Sequence, residues 1–255
     1  MDALVIIPAR FASQRFPGKP LVRLTSPGGV ERPLIEWTWR AAVAAVGPEA
    51  VVVATDDARI AAVVADFGGQ VVMTAPALHN GTERCAAAVE TLAHTARIVV
   101  NFQGDSPLLP AGSIASLVAA LRADAAQIAT PYVSCDAALS ELILAEHAAG
   151  RVGGTCVVTR DDGTAAYFSK LPIPHGAGAN LPLKLHLGLY AYTRAALKAY
   201  AALLPSPLEL AEGLEQLRFL AAGQPIAMVE IPMPSRGIWE VNNPADIAPV
   251  SARLP

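Results

Sequence analysis

Three cations fall on one short stretch of this chain. Residues 8–20 read P-A-R-F-A-S-Q-R-F-P-G-K-P and follow the apolar run of residues 3–7, which puts Arg10, Arg15 and Lys19 on a loop at the carboxyl end of an expected strand. Two guanidinium forks and an ammonium point charge, added to the backbone amides of Ser13 and Gly18, suit a triphosphate better than a single carboxylate. The plain alternative is a solvated charged loop with no chemistry. Pro20 follows Lys19, so G-x-x-x-x-G-K-[ST] is not matched, and the loop has no G-x-G-x-x-G. Neither a P-loop NTPase nor a Rossmann dehydrogenase is supported.

Asp105 follows the apolar run of residues 98–102. A carboxylate at a strand end holds Mg²⁺ together with triphosphate oxygens and water; a helix-capping aspartate is the competing reading. Gly104 beside it permits close approach of a ligand. In His79-Asn80-Gly81-Thr82-Glu83-Arg84, Gly81 suits a tight turn, Thr82 a helix cap, and Arg84 stands at a helix start. Read structurally, Arg84 pairs with Glu83 or Asp57 instead of a ligand, and Asp57 itself is favoured at a helix start. His186, Gly188 and Tyr190 alternate onto one strand face that could line a second substrate's site. A lone histidine in an apolar strand more often reads as a hydrogen-bonded core residue. Glu215 and Gln216, within an expected helix at residues 208–220, read equally as surface.

Positioning these groups requires a sheet. Strands are expected at residues 4–7, 51–54, 71–74, 98–102 and 127–133, with helices at 34–45, 57–67, 84–93 and 113–122 between them. Apolar runs such as Val51-Val52-Val53 fit strands buried on both faces, and the alternation predicts a doubly wound, mostly parallel α/β sheet. Ligands bind beyond the carboxyl ends of such strands, where the clusters at 8–19, 55–57, 79–84 and 103–105 all lie. Past residue 150, Cys156-Val157-Val158, the turn Asp161-Asp162-Gly163 and residues 165–169 predict a hairpin opening an inserted lobe over about residues 150–205. Gly176-Ala177-Gly178-Ala179-Asn180 reads as its tip. The whole chain, residues 1–255, reads as one domain containing that lobe.

With 53% hydrophobic residues, 16% charged and a net charge of −3, the chain offers no basic field for nucleic acid, so a free nucleotide is the expected partner. Cys85, Cys135 and Cys156 show neither zinc spacing nor a disulfide framework. No signal-like segment and no run of about 20 apolar residues is present, so a soluble, cytoplasmic protein without membrane partners is expected.

The motifs taken together resemble the 3-deoxy-manno-octulosonate (Kdo) cytidylyltransferases, or CMP-Kdo synthetases, along nearly the whole chain. They run in order from V-I-I-P-A-R-F-A-S-Q-R-F-P-G-K-P-L through V-V-A-T-D-D, H-N-G-T-E-R, V-N-F-Q-G-D-S-P, Y-F-S-K, H-L-G-L-Y and S-P-L-E-L-A-E-G-L-E-Q-L-R to V-N-N-P-A-D-I. The resemblance implies a nucleotide-diphospho-sugar transferase fold, Rossmann-like, whose lobe binds the acceptor and dimerises. An acidic acceptor would attack the α-phosphorus of CTP and release pyrophosphate, without a covalent enzyme intermediate. It also implies that Arg10, Ser13, Arg15 and Lys19 hold the triphosphate and that Asn80, Gly81, Arg84 and Gln103 help hold the nucleotide. Asp105 would bind Mg²⁺. Gln103, Lys170, His186, Tyr190, Glu215 and Gln216 would face a small anionic acceptor, in a homodimer.

Departures from the family pattern cluster near the carboxyl end and in the lobe. Asn242 stands where the family has a second metal-binding aspartate, and Trp239 and Glu240 replace small residues. Asn242 keeps an oxygen for Mg²⁺ but removes a charge. Cys156 replaces a lysine, Lys170 an arginine and His175 a tryptophan. These changes favour a compact phosphonate such as phosphonoformate over Kdo as acceptor, both remaining open. A homologue that binds the nucleotide without turning it over is the further alternative.

Overall fold

Short β-branched runs punctuated by Gly, Pro and Asp become the centre of a single large sheet. The computed structural model describes residues 2–12, 16–123, 126–178, 181–234, 237 and 239–255. Its strands are β1 (Ala3–Ala9), β2 (Arg23–Thr25), β3 (Glu31–Pro33), β4 (Val51–Thr55), β5 (Gln70–Met73), β6 (Ile98–Phe102), β7 (Ile128–Ser134), β8 (Thr155–Thr159), β9 (Ala165–Ser169), β10 (Lys184–His186), β11 (Leu189–Thr193) and β12 (Ala227–Glu230). Between and after them lie α1 (Leu34–Val46), α2 (Ala58–Asp66), α3 (Gly81–Thr91), α4 (Ala111–Ala123), α5 (Ala137–Ala148), α6 (Arg194–Ala202), α7 (Pro207–Glu212), α8 (Leu217–Ala221) and α9 (Ile247–Ser251).

The main sheet runs β5-β4-β1-β6-β11-β7-β10-β8-β9, with β12 on the other side of β7. Its first four strands are parallel, as βαβ crossovers demand. Beyond β6 the steps to β11, β7, β10, β8 and β9 are antiparallel. Helices cover both faces, so every residue of β4 is buried. Alternation divides β1 between two cores: Leu4 and Ile6 join Cys85, Val89 and Leu197, whereas Val5 and Ile7 join Ile35, Ile60 and Leu117. Each such aliphatic side chain contributes about 1.5–3 kcal/mol by leaving water.

The expected hairpin forms, with Gly163 at φ 79 in its turn. The strands of the lobe extend the main sheet instead of building a separate one, because β10 pairs with β7 on one side and β8 on the other. Ala179 and Asn180 of the lobe-tip loop lie outside the described residues. The single helix expected at 208–220 is two helices: Gly213 takes φ 63 at the end of α7, and the chain turns before α8 begins. All three cysteines are free and buried. Among the described residues, no helix is long and apolar enough to cross a membrane.

Near its carboxyl end the chain returns to the phosphate-loop side. Val241, Val250 and Leu254 pack with Leu24, Leu34 and Trp37, and Val241 N–H donates to the Asp105 carbonyl at 3.0 Å. That strap delivers residues 240–242 to the end of β6.

Candidate active site

The loop after β1 is closed by Gly18 N–H donating to Phe11 O at 2.9 Å, with Gly18 at φ 71. A short 3-10 turn, Lys19–Leu21, then aims Lys19 across the crevice, where its Nζ lies 2.6 Å from Asp105 Oδ2. Arg10 stays exposed at the loop's start, its Nη1 3.5 Å from the His79 carbonyl. Loops after β1, β5 and β6 therefore meet. Ser13 and Arg15, the other two triphosphate candidates, lie outside the described residues.

No helix begins at Asp105, so the capping alternative falls away and its carboxylate faces Lys19. The role expected for Gly104 needs correcting. A Cβ there would come within 2.9 Å of the Pro8 carbonyl, so the glycine lets the β1 and β6 loops approach each other and leaves no special room for a ligand. Gln103 Nε2 donates to Glu215 Oε1 at 3.2 Å, and a Cβ on Gly188 would sit 3.4 Å from the Gln103 side chain.

The segment 79–84 differs in detail from its expected pattern. Asn80, not Thr82, caps α3, its Oδ1 accepting from Glu83 N–H at 2.8 Å while its Nδ2 donates to Tyr200. Thr82 instead shares a 2.9 Å hydrogen bond with the Tyr192 hydroxyl. Gly81 packs tightly against Pro8 and Asn101, each 3.3 Å from where its Cβ would be. Arg84 is buried and pairs with Asp56 at 3.0 Å, not with Glu83 or Asp57, and it also donates to Thr74. Its guanidinium is committed to the crevice wall, so a contact with nucleotide would compete with those bonds. Asp57 caps α2 as expected.

At the far end of the crevice the break after α7 turns Glu215 and Gln216 inward. Glu215 Oε2 accepts from Thr82 N–H at 3.0 Å, and burial raises its pKa while that amide opposes the shift. Gln216 Oε1 accepts from the Tyr190 hydroxyl at 3.1 Å, and its Nε2 is buried without a partner. Neither is a surface helix residue; Gly213 ending α7 is the signal that separates them from it. Lys170 hangs over that glycine, its Nζ 2.8 Å from a Cβ placed there, while its N–H donates to Glu212.

His186 stands between the rings of Phe168 and Tyr190, at centroid distances of 5.1 Å and 5.4 Å. The Thr130 hydroxyl spends its hydrogen on Leu189 O, so the 2.8 Å contact with His186 assigns the proton to Nε2. Burial lowers the His186 pKa to about 3. Because the unfolded chain protonates near 6.5 and the folded one does not, stability falls as pH drops below that value. The expected loss from this residue between pH 7 and pH 5 is about 2 kcal/mol. Urea unfolding at both pH values checks it: His186→Gln should remove that part of the difference, and an unchanged difference would refute it.

Glu240 was not among the candidate site residues, and the structure places it in the site. Its Oε1 accepts from Ser106 Oγ at 3.2 Å and its Oε2 from Asn242 Nδ2 at 3.4 Å, while Ser106 Oγ also contacts Asp105 Oδ1 at 3.4 Å. Burial first, and then the charge of Asp105, raise its pKa above the usual carboxylate range; Asn242, Ser106 and Lys19 pull it down. Only the departure from small residues at this point could have flagged it. Asn242 is held by its backbone N–H on Asp246 at 2.8 Å.

The described chain matches the Cytidylyltransferase family over residues 4–228. It is 43% identical over 249 residues to the 3-deoxy-manno-octulosonate cytidylyltransferase of Maricaulis maris, covering 96% of this chain and 94% of that one. The chain belongs to the 3-deoxy-manno-octulosonate cytidylyltransferase family. A second relative of the same name, from Anaeromyxobacter dehalogenans, is 42% identical over 89% of this chain and 88% of its own. Among solved structures, CMP:2-keto-3-deoxy-manno-octonic acid synthetase complexed with CTP superposes with a TM-score of 0.82 at 34% identity, covering 98% of this chain and 96% of that one. This cytidylyltransferase thus has the expected α/β fold and is a CTP-dependent nucleotidyltransferase.

Within that family two departures of the lobe can be placed. Cys156 is fully buried among Val133, Leu185 and Ile231, and burial raises its thiol pKa. It fills apolar space, and its neutral thiol carries none of the charge of the lysine it replaces. Lys170 keeps the positive charge of the arginine it replaces.

Proposed function

We propose that this enzyme couples CMP from CTP to a 2-keto-3-deoxy sugar acid of the Kdo type, releasing pyrophosphate. The observation that carries the reading is the Lys19–Asp105 pair, held at 2.6 Å where the phosphate loop meets the end of β6. An ammonium has three donors, so Lys19 keeps two for phosphate oxygens beside the one on Asp105. Arg10, exposed at the loop's start, adds a fork toward the same oxygens. Cations fixed in advance stabilise the charge that gathers on departing pyrophosphate, and in-line attack by the acceptor hydroxyl needs alignment more than a protein nucleophile. Gln103 links the two ends of the crevice through Glu215, while Tyr190, Gln216 and His186 form a rigid wall suited to a polyhydroxy acid.

Magnesium belongs to this reading. Among the described residues no group of three or more His, Cys, Asp or Glu side chains is placed to hold a metal. Mg²⁺ commonly takes only one or two carboxylates and completes its shell with water and substrate phosphates, and the donors around Asp105 are oxygens of carboxylate, hydroxyl and amide type. They fit. Asp105 is the residue that would hold the ion, which when bound neutralises charge on the triphosphate.

The retained charge of Lys170 and the Kdo enzymes among the relatives favour Kdo over phosphonoformate as acceptor. A homodimer in the cytoplasm completes the proposal. Pyrophosphate release with CTP and Mg²⁺ tests it. Release with Kdo and little with phosphonoformate is the expected result; release with phosphonoformate alone overturns the acceptor, and release with neither overturns the activity.

A further inference from the structure

We infer that Glu240 supplies the second carboxylate of the metal position beside Asp105, and that Asn242 orients Glu240 without itself providing the charge. This rests on the magnesium-dependent reading above. The C-terminal strap fixes the geometry, because Val241 N–H bonds to the Asp105 carbonyl at 3.0 Å and so holds its neighbour Glu240 against the end of β6. From there the Glu240 carboxylate is tied at both oxygens: Ser106 Oγ, 3.2 Å from Oε1, is shared with Asp105, and Asn242 Nδ2 lies 3.4 Å from Oε2.

Chemistry separates the two roles. Asn242 turns its amide nitrogen, a donor, toward Glu240, and its amide oxygen carries no charge, so the anionic ligand on the strap is Glu240. Glu240 and Asp105 are acceptors side by side, and Lys19, on Asp105 Oδ2 at 2.6 Å, cancels only one of the two charges. A hard divalent cation with its remaining waters fits the surplus. Glu240 Oε1 also lies 3.4 Å from where a Cβ on Gly188 would sit, and the Gln103 side chain borders that same point. The carboxylate therefore stands between the phosphate end of the crevice and its acceptor end.

Mn²⁺, measured by electron paramagnetic resonance with CTP present and with CTP absent, is the probe, and thermal unfolding checks that each variant is folded. Glu240→Gln should weaken Mn²⁺ at least tenfold, as should Asp105→Asn. Adding Asn242→Asp to Glu240→Gln returns a carboxylate to the strap two residues away and should restore affinity to within about threefold of the parent. If Asp105→Asn weakens Mn²⁺ and Glu240→Gln does not, the inference is overturned while the metal reading stands. A double variant as weak as Glu240→Gln reduces Glu240 to a structural part and also overturns it. If neither single variant alters Mn²⁺, the metal reading at Asp105 fails together with the inference.

Discussion

Lys19→Ala is expected to lower kcat for pyrophosphate release by about 10²–10³-fold, the usual cost of deleting one preorganised charged donor to a transition state. The size follows from position. Lys19 leaves a turn that opens after Gly18, at φ 71, and its ammonium is only partly exposed, 15% for the side chain. Water therefore replaces it poorly once the alanine removes the charge. Stability should fall by about 1–3 kcal/mol, because the alanine leaves the mostly buried Asp105 carboxylate without its cation while Pro20 still anchors the turn. A rate within threefold of the parent, measured by coupled pyrophosphate detection at saturating CTP, would remove Lys19 from the machinery.

Asp105→Asn should cost as much, for a complementary reason. The substitution keeps shape and the backbone carbonyl that receives Val241 N–H, so the strap and Glu240 stay in place. It removes the negative charge facing Lys19 and with it the anionic ligand for magnesium. The expected result is a fall of about 10²–10³-fold in kcat, partly relieved by raised Mg²⁺. Lys19→Ala, whose deficit is in a fixed protein cation, should show no such relief. Equal responses of the two variants to Mg²⁺ would contradict this division of labour.

The β-strand ends were legible because short β-branched runs such as Val51-Val52-Val53, bounded by turn residues, fit a doubly covered strand, and such sheets collect ligands at the carboxyl ends of their strands. Arg10 and Asp105 were legible for the same reason, each standing just past the end of one of those runs, and Lys19 because it closes the loop that the first run opens. Less local features were not. The partner of Arg84 is Asp56, 28 positions away, and nothing in the order of residues distinguishes it from Glu83 or Asp57. Glu215 and Gln216 looked helical because their neighbours are strong helix formers, and a single glycine taking φ 63 overrode that propensity. Cys156 lies on β8, which pairs with the β10 strand carrying His186, yet the pleat turned it into the apolar cluster.

Sequence by itself determined the α/β class, the loops bordering the crevice and the charge types they carry, since these depend on periodicity and on residues close together in the chain. Tertiary structure alone decided that Glu240, more than a hundred positions after Asp105, comes to the same point. That meeting depends on Val241, Val250 and Leu254 packing against Trp37. Burial of apolar area is non-directional and leaves no local pattern saying which distant segments it will join.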